Sequence, residues 1–132
     1  MAAFTDAQTD AINAQGGSVL VSAAAGSGKT TVLIERIIRM ITRRENPIDV
    51  DRLLIVTFTR AAASEMKERL AKAINSLLEN DPYNSLLLRQ RQLMYNTSIC
   101  TIDSFCGSVV REYFHILGVQ KDFRLADENE IK

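Results

Sequence analysis

The sequence predicts an α/β domain whose parallel sheet is joined by helical crossovers, and three observations lead there. Short, wholly apolar runs alternate with longer stretches whose apolar residues recur at helical spacing. The resulting order is strand, helix, strand, helix, helix, strand, helix, the rhythm of parallel strands linked by crossovers. A glycine-rich turn, Gly26-Ser27-Gly28, separates the first apolar run from the first long helical pattern.

Val19-Leu20-Val21 is a continuous apolar run suited to a strand buried on both faces. Val32, Leu33, Ile34, Ile37, Ile38 and Ile41 then recur at helical spacing, with Arg36, Arg39, Arg43 and Arg44 between them as a solvated face. Asn46-Pro47 closes that helix. Leu53-Leu54-Ile55-Val56 is the second strand, and Ala62, Met66, Leu70, Ala73, Ile74 and Leu77 form one apolar face of a long helix. Asp81-Pro82 reads as an N-cap followed by proline at the first helical position of a leucine-rich helix. Ile99 to Ile102 is the third strand. Asp103 or Ser104 caps the next helix, whose apolar face is Phe105, Val109, Val110, Phe114 and Leu117, with Gly118 as its stop. A sheet of three strands is small, because parallel strands need both faces covered. The chain therefore reads as the opening part of a larger α/β domain, cut after its third strand.

The 132 residues carry 16 basic and 16 acidic side chains, so net charge is zero. That excludes a tail-type DNA binder whose affinity comes from bulk positive charge. The balance is uneven along the chain: residues 1–35 carry one basic and three acidic groups, 36–111 carry twelve and eight, and 112–132 carry three and five. The middle of the chain is the side suited to a polyanion. No run approaches the roughly 18 apolar residues of a membrane span, and no signal-peptide core opens the chain, so it reads as cytoplasmic with no membrane partner. Cys100 and Cys106 match no common zinc spacing and read as reduced, partly buried thiols. His115, the single histidine, reads as a packing residue on an apolar helix face.

Chemistry concentrates in Ala23-Ala24-Ala25-Gly26-Ser27-Gly28-Lys29-Thr30, directly after the first strand. Gly26 and Gly28 permit backbone angles that let successive N–H groups turn inward around a phosphate. The helix that follows aims its unpaired N–H groups at the same anion. Lys29 adds a full charge for the outer phosphates, and the Thr30 hydroxyl can ligate Mg2+. Ala23 stands where the general pattern has its first glycine, so the entry of the loop needs no glycine-only conformation. These residues would also make an ordinary turn; the strand before and helix after favour nucleotide binding.

With these residues in place, the chain resembles the ATPase core of the superfamily 1 helicases of the UvrD/Rep group. Four segments carry the resemblance: Phe4-Thr5-Asp6-Ala7-Gln8, Ser22 to Thr30, Val56 to Met66, and Thr101-Ile102-Asp103-Ser104-Phe105. Ile102-Asp103 and Phe123-Arg124-Leu125-Ala126-Asp127-Glu128 favour the helicase/nuclease branch of that group. The resemblance implies a P-loop NTPase sheet of the RecA type and places residues 1–132 in the first part of motor domain 1A. It implies ATP and Mg2+ as cofactors, held by Gln8, which reads adenine, by Ala23, Ala24, Ala25, Gly26, Ser27, Gly28 and Thr31, and by Lys29 and Thr30, which also act in catalysis. It implies DNA contacts by Thr57, Phe58, Thr59, Arg60, Thr101, Asp103 and Ser104. For the whole protein it implies translocation on single-stranded DNA, processing of double-strand ends for recombinational repair, a second helicase/nuclease polypeptide as partner, and a bacterial cytoplasm as location.

Gln8 also reads as a capping or surface amide, Phe58 as the core residue ending an apolar run, and the hydroxyls as helix caps. Asp127-Glu128 is not the magnesium-binding acid pair of such an ATPase, because Lys121, Asp122 and Arg124 interrupt the approach. Lacking that pair and a second motor domain, the chain alone is expected to hydrolyse no ATP, unwind no DNA and cut none. Two other functions stay open at this point: a small nucleoside or nucleotide kinase, and a nucleotide-binding module without turnover.

Overall fold

A computed structural model describes residues 4–24, 26–120 and 122–123. The elements in chain order are α1 (Asp6–Asn13), α2 (Lys29–Thr42), β1 (Leu54–Thr57), α3 (Arg60–Asn80), α4 (Ser85–Leu93), β2 (Ser98–Thr101), α5 (Ile102–Glu112) and α6 (Phe114–Leu117). Short 3-10 turns at Val50–Arg52 and Met94–Asn96 lead into the two strands. The fold is mixed α/β, with β1 and β2 paired in parallel and Leu54 opposite Ser98 through Thr57 opposite Thr101.

The core lies between α2, α3 and α4 and one face of that sheet. Ile37, Ile38 and Ile41 from α2 meet Met66, Leu70, Ile74 and Leu78 from α3, with Val50, Ile55, Leu87 and Met94 closing the cluster. Gln90 is fully buried among them and accepts from the Val50 N–H at 2.9 Å, so the turn before β1 is fastened to α4.

Several expectations are corrected. Val19-Leu20-Val21 is not a strand: it runs unpaired, and Leu20 is 94% exposed. Three residues offer few ladder bonds against the entropy of ordering them, and two strands rather than three pair among the described residues. Both remaining strands start one residue away from the expected position. Ile102 leaves the sheet because Thr101, not Asp103 or Ser104, caps α5 and accepts from the Ser104 N–H. Asp81-Pro82 does not begin a helix: Asp81 is instead the C-cap of α3, its N–H donating to Leu77 O. Pro82 occupies the second position of a turn closed by Asn84 N–H to Asp81 O (3.2 Å), where its fixed φ is favoured, and Asn84 caps α4. The buried face of α3 includes Ala63 and Leu78; Ala62 is exposed, while Ala73 and Leu77 are half-buried and pack against the cluster as expected. Helix α2 ends at Thr42, before Asn46-Pro47. The apolar residues of α5 and α6 meet no core: neither helix has a buried residue, and His115 is exposed, edge-on to Phe114. Cys106 is exposed and Cys100 half-buried. Gly118 does end α6, in a left-handed conformation. Among the described residues no helix is long and apolar enough to cross a membrane.

Candidate functional site

The glycine-rich turn becomes the N-terminus of α2. Gly28 is the N-cap, left-handed at φ 79° and ψ 18°, and it has no side chain to bond the helix amides. The first-turn N–H groups of Lys29, Thr30 and Thr31 therefore lack an intrahelical acceptor and are open to an anion. Gly26 is also at φ 79°, and the Ser27 N–H donates to Ala24 O at 3.3 Å, which folds the loop back on itself. The Lys29 ammonium lies across the loop and donates to the carbonyls of Ala23 and Ala24, both at 2.7 Å. Among the described residues its charge is met by carbonyl dipoles, which a phosphate would outcompete. Thr30 and Thr31 are exposed. Ala25 lies outside the described residues, as do Lys121 and the stretch from Arg124 to Lys132 that contains Asp127-Glu128.

Gln8 reaches this loop from α1. Thr5 and Gln8 form a capping box: the Thr5 N–H donates to Gln8 Oε1 at 2.9 Å and the Gln8 N–H to Thr5 Oγ1 at 3.3 Å. Gln8 Nε2 in turn donates to Ser27 O at 3.2 Å. One side chain thus both caps α1 and touches the glycine-rich loop. A groove of about 360 Å³ runs past Gln8, Val21, Ala23, Ser27 and Lys29.

Sequence reasoning missed what holds α1 there. Arg36 and Arg39 are not simply a solvated face. Arg36 donates to Ala11 O at 2.7 Å and Ile12 O at 3.3 Å, and Arg39 donates to Asn13 Oδ1 at 2.6 Å. Helix α1 has no basic residue in its own last turn. Two arginines of α2 satisfy its terminal carbonyls and side chain instead.

A second groove forms where the parallel register aligns the C-terminal ends of β1 and β2. Each strand hands over to a helix through a threonine cap: Thr59 Oγ1 accepts from the Ala62 N–H, and Thr101 Oγ1 from the Ser104 N–H, both at 3.1 Å. Phe58, between strand and cap, is 92% exposed, so it is no core residue. The groove, about 580 Å³, brings together Phe58, Arg60, Thr101, Asp103 and Ser104. Thr57 and Thr59 do not line it; the Thr57 hydroxyl donates to Thr59 O at 3.0 Å and shapes the turn. The Thr101 hydroxyl donates to Ser104 Oγ at 2.8 Å, which leaves the Ser104 proton to point elsewhere. Asp103 can accept from an amino or hydroxyl group but opposes a phosphate. Arg111 and Phe123 also line the groove, with the Arg111 guanidinium 5.2 Å from the Phe123 ring centroid. Neither was singled out from the sequence, where an arginine late in a helix and a phenylalanine some way beyond it share no period.

A loop open to anions beside an amide that can read a base, and a separate groove with an exposed ring and arginines, suit a protein that grips a nucleotide and a polyanion at different places. A family model for the UvrD/REP helicase N-terminal domain matches residues 4–132, and the chain belongs to that family. It is 53% identical over 128 residues to the A-type ATP-dependent helicase/nuclease subunit of Anoxybacillus flavithermus (strain DSM 21510 / WK1), covering 97% of this chain and 11% of that protein. Proteins of the same description are 52% identical in Clostridium perfringens (strain 13 / Type A) and 54% in Clostridium novyi (strain NT), each over 127 residues, 96% of this chain and 10% of theirs. The chain spans about a tenth of the length of the curated relatives it matches.

Proposed function

We propose that this chain is the opening part of motor domain 1A, on a P-loop sheet of the RecA type, in an ATP-dependent DNA helicase/nuclease of the AddA kind. Its part is to grip ATP and to carry a stretch of the single-strand track. The observation that carries this reading is the pairing of two separate sites. One is a glycine-capped helix N-terminus under Lys29; the other is an arginine-bearing groove at the C-terminal ends of two parallel strands, the sheet edge where ligands bind. A kinase acting on a small acceptor has no need of the second.

The residues of the first site fit a magnesium nucleotide. Amides at the start of α2 and in the Gly26–Gly28 turn would hold the phosphate tail, Lys29 would leave its two carbonyls for the outer phosphates, and the Thr30 hydroxyl would take Mg2+. Gln8 would hold adenine, since an amide both donates and accepts. ATP supplies a phosphoanhydride bond whose hydrolysis powers movement. The acids and arginines that hydrolysis also requires belong, in this reading, to other parts of the parent protein, so the chain alone turns over no ATP and neither unwinds nor cuts DNA.

In the second site Phe58 would stack on a base, and Arg60 and Ser104 would bond backbone phosphates, positioning a strand without reading its sequence. Thr57, Thr59 and Thr101 act behind them by shaping the turns, and Asp103 accepts from a base amino group. The parent protein would move along single-stranded DNA from double-strand ends, process them for recombinational repair in a bacterial cytoplasm, and pair with an AddB-like second polypeptide. Adding single-stranded DNA to the intact protein should raise its ATPase rate many-fold, and Lys29→Ala should abolish that rate. ATPase activity indifferent to DNA would overturn the reading.

A further inference from the structure

We propose that Arg111, which lies over the Phe123 ring, is a further backbone-phosphate contact in the groove at the ends of β1 and β2, so that the strand is gripped at both ends of the α5 face, by Arg111 as well as by Ser104. This rests on the reading of that groove as a single-strand site.

The argument starts from α5. Ser104, Gly107 and Arg111 stand three and four residues apart and so share one helix face, and all three line the groove. From Ser104 to Arg111 the face runs about 10 Å. That is several times the ~3.4 Å rise per nucleotide of a stacked strand, so the two residues address different nucleotides. The arginine lies back along this face over Gly107, where an added Cβ would stand in ordinary contact at 3.5 Å from Arg111 Nη1. With no side chain beneath it, the guanidinium folds back over the helix toward the groove.

The Arg111 Cζ lies over the Phe123 ring, 5.2 Å from its centroid. A contact of this kind holds the cation through the ring face and uses none of its N–H donors on an acceptor. Among the described residues, Arg111 makes no hydrogen bond and no ion pair. The contrast with Arg36 is direct: an arginine used to fasten structure spends its donors on carbonyls, as Arg36 does on Ala11 and Ile12. Arg111 is held by packing, and among the described residues its donors meet no acceptor. With Arg60 it outnumbers the one carboxylate of the groove, Asp103, which gives the lining the sign a polyanion requires.

The test is equilibrium binding of a fluorescein-labelled oligo(dT) to the intact protein across a salt series. Arg111→Gln should weaken binding equally for oligo(dT) and a mixed sequence and reduce the log–log salt slope by about 0.7, the value of one single-strand phosphate contact. Arg111→Lys should restore the slope, since it restores the charge. Phe123→Leu should keep the slope and weaken binding ~2–5-fold, the worth of an exposed cation–π pair. An unchanged slope in Arg111→Gln overturns the proposal, as does failure of lysine to restore it. If Phe58→Ala weakens binding while Arg111→Gln changes nothing, the groove reading survives and this inference does not. If neither variant has an effect, the groove reading itself fails.

Discussion

Gln8 is where two roles meet, and two substitutions separate them. Helix α1 has eight residues and one buried side chain, Ile12, so it cannot sustain itself and depends on its cap and its docking. Gln8→Ala deletes the acceptor for the Thr5 N–H and the donor to Ser27 O. At ~0.5–1 kcal/mol net for each of two exposed bonds, α1 should open about 1–2 kcal/mol more easily. Amide exchange across residues 6–13 should then rise roughly 5–30-fold. Gln8→Glu keeps the acceptor, and glutamate serves equally in a capping box, so exchange in α1 should stay near that of the parent. Glutamate cannot donate, however, and it sets a negative charge against Ser27 O and adenine N7. ATP binding should weaken about tenfold. Hydrogen exchange by mass spectrometry on the intact protein, with titration of a fluorescent ATP analogue, reads both quantities. If Gln8→Glu binds ATP as the parent does, adenine recognition by this amide is wrong. If it loosens α1 as much as alanine does, the capping box is not what holds the helix.

Two further outcomes follow from the packing. Ile74, on α3, is fully buried in the core cluster, so Ile74→Ala should destabilise by ~2–5 kcal/mol and Ile74→Val by ~0.5–1.5 kcal/mol; equal denaturation midpoints for the two would show a core that collapses around the loss. The Arg89 fork bonds Asp49 at 2.9 and 2.6 Å and holds its carboxyl below the usual carboxylate range. The unfolded chain then takes up this proton first, so the pair's contribution is complete above an unfolded pKa of about 3.9 and is lost as pH falls through the lower folded value. Asp49→Asn should flatten the acid limb of an unfolding profile below about pH 4, and an unchanged limb would mean that the pair adds nothing to folding.

What the sequence conveyed depended on how local the physics was. Helix α2 was legible because its apolar residues keep one period over fourteen positions and nothing distant is needed to orient them. The two paired runs were legible to within a residue, since an apolar run marks a strand but its ends are set by caps such as Thr101. Val19-Leu20-Val21 looked no different, yet pairing is a property of neighbours, and a run of three contains no register. Pro82 was misplaced because a proline suits the second turn position as well as the first of a helix. The positions that come together in space were legible as a set, five of the seven expected ones lining one groove. Arg36, Arg39, Arg111 and Phe123 were not, because their partners lie on other elements: no spacing along α2 says that α1 needs its carbonyls capped from outside.

The caps also explain how one chain can offer anions two different receptions. Three helix N-termini, those of α2, α3 and α5, follow loop or strand segments, and each carries the same partial positive charge. At α2 the cap is Gly28, with no side-chain bond, so every first-turn amide stays open. At α3 and α5 a threonine takes one amide for itself, through Thr59 and Thr101. The open end, with Lys29 beside it, suits a dense and fully charged ligand such as a triphosphate. The capped ends keep less of their field, and what they add is a hydroxyl, an arginine at the first position of α3, and an exposed ring. A singly charged diester that must be gripped and then released during movement suits that weaker hold.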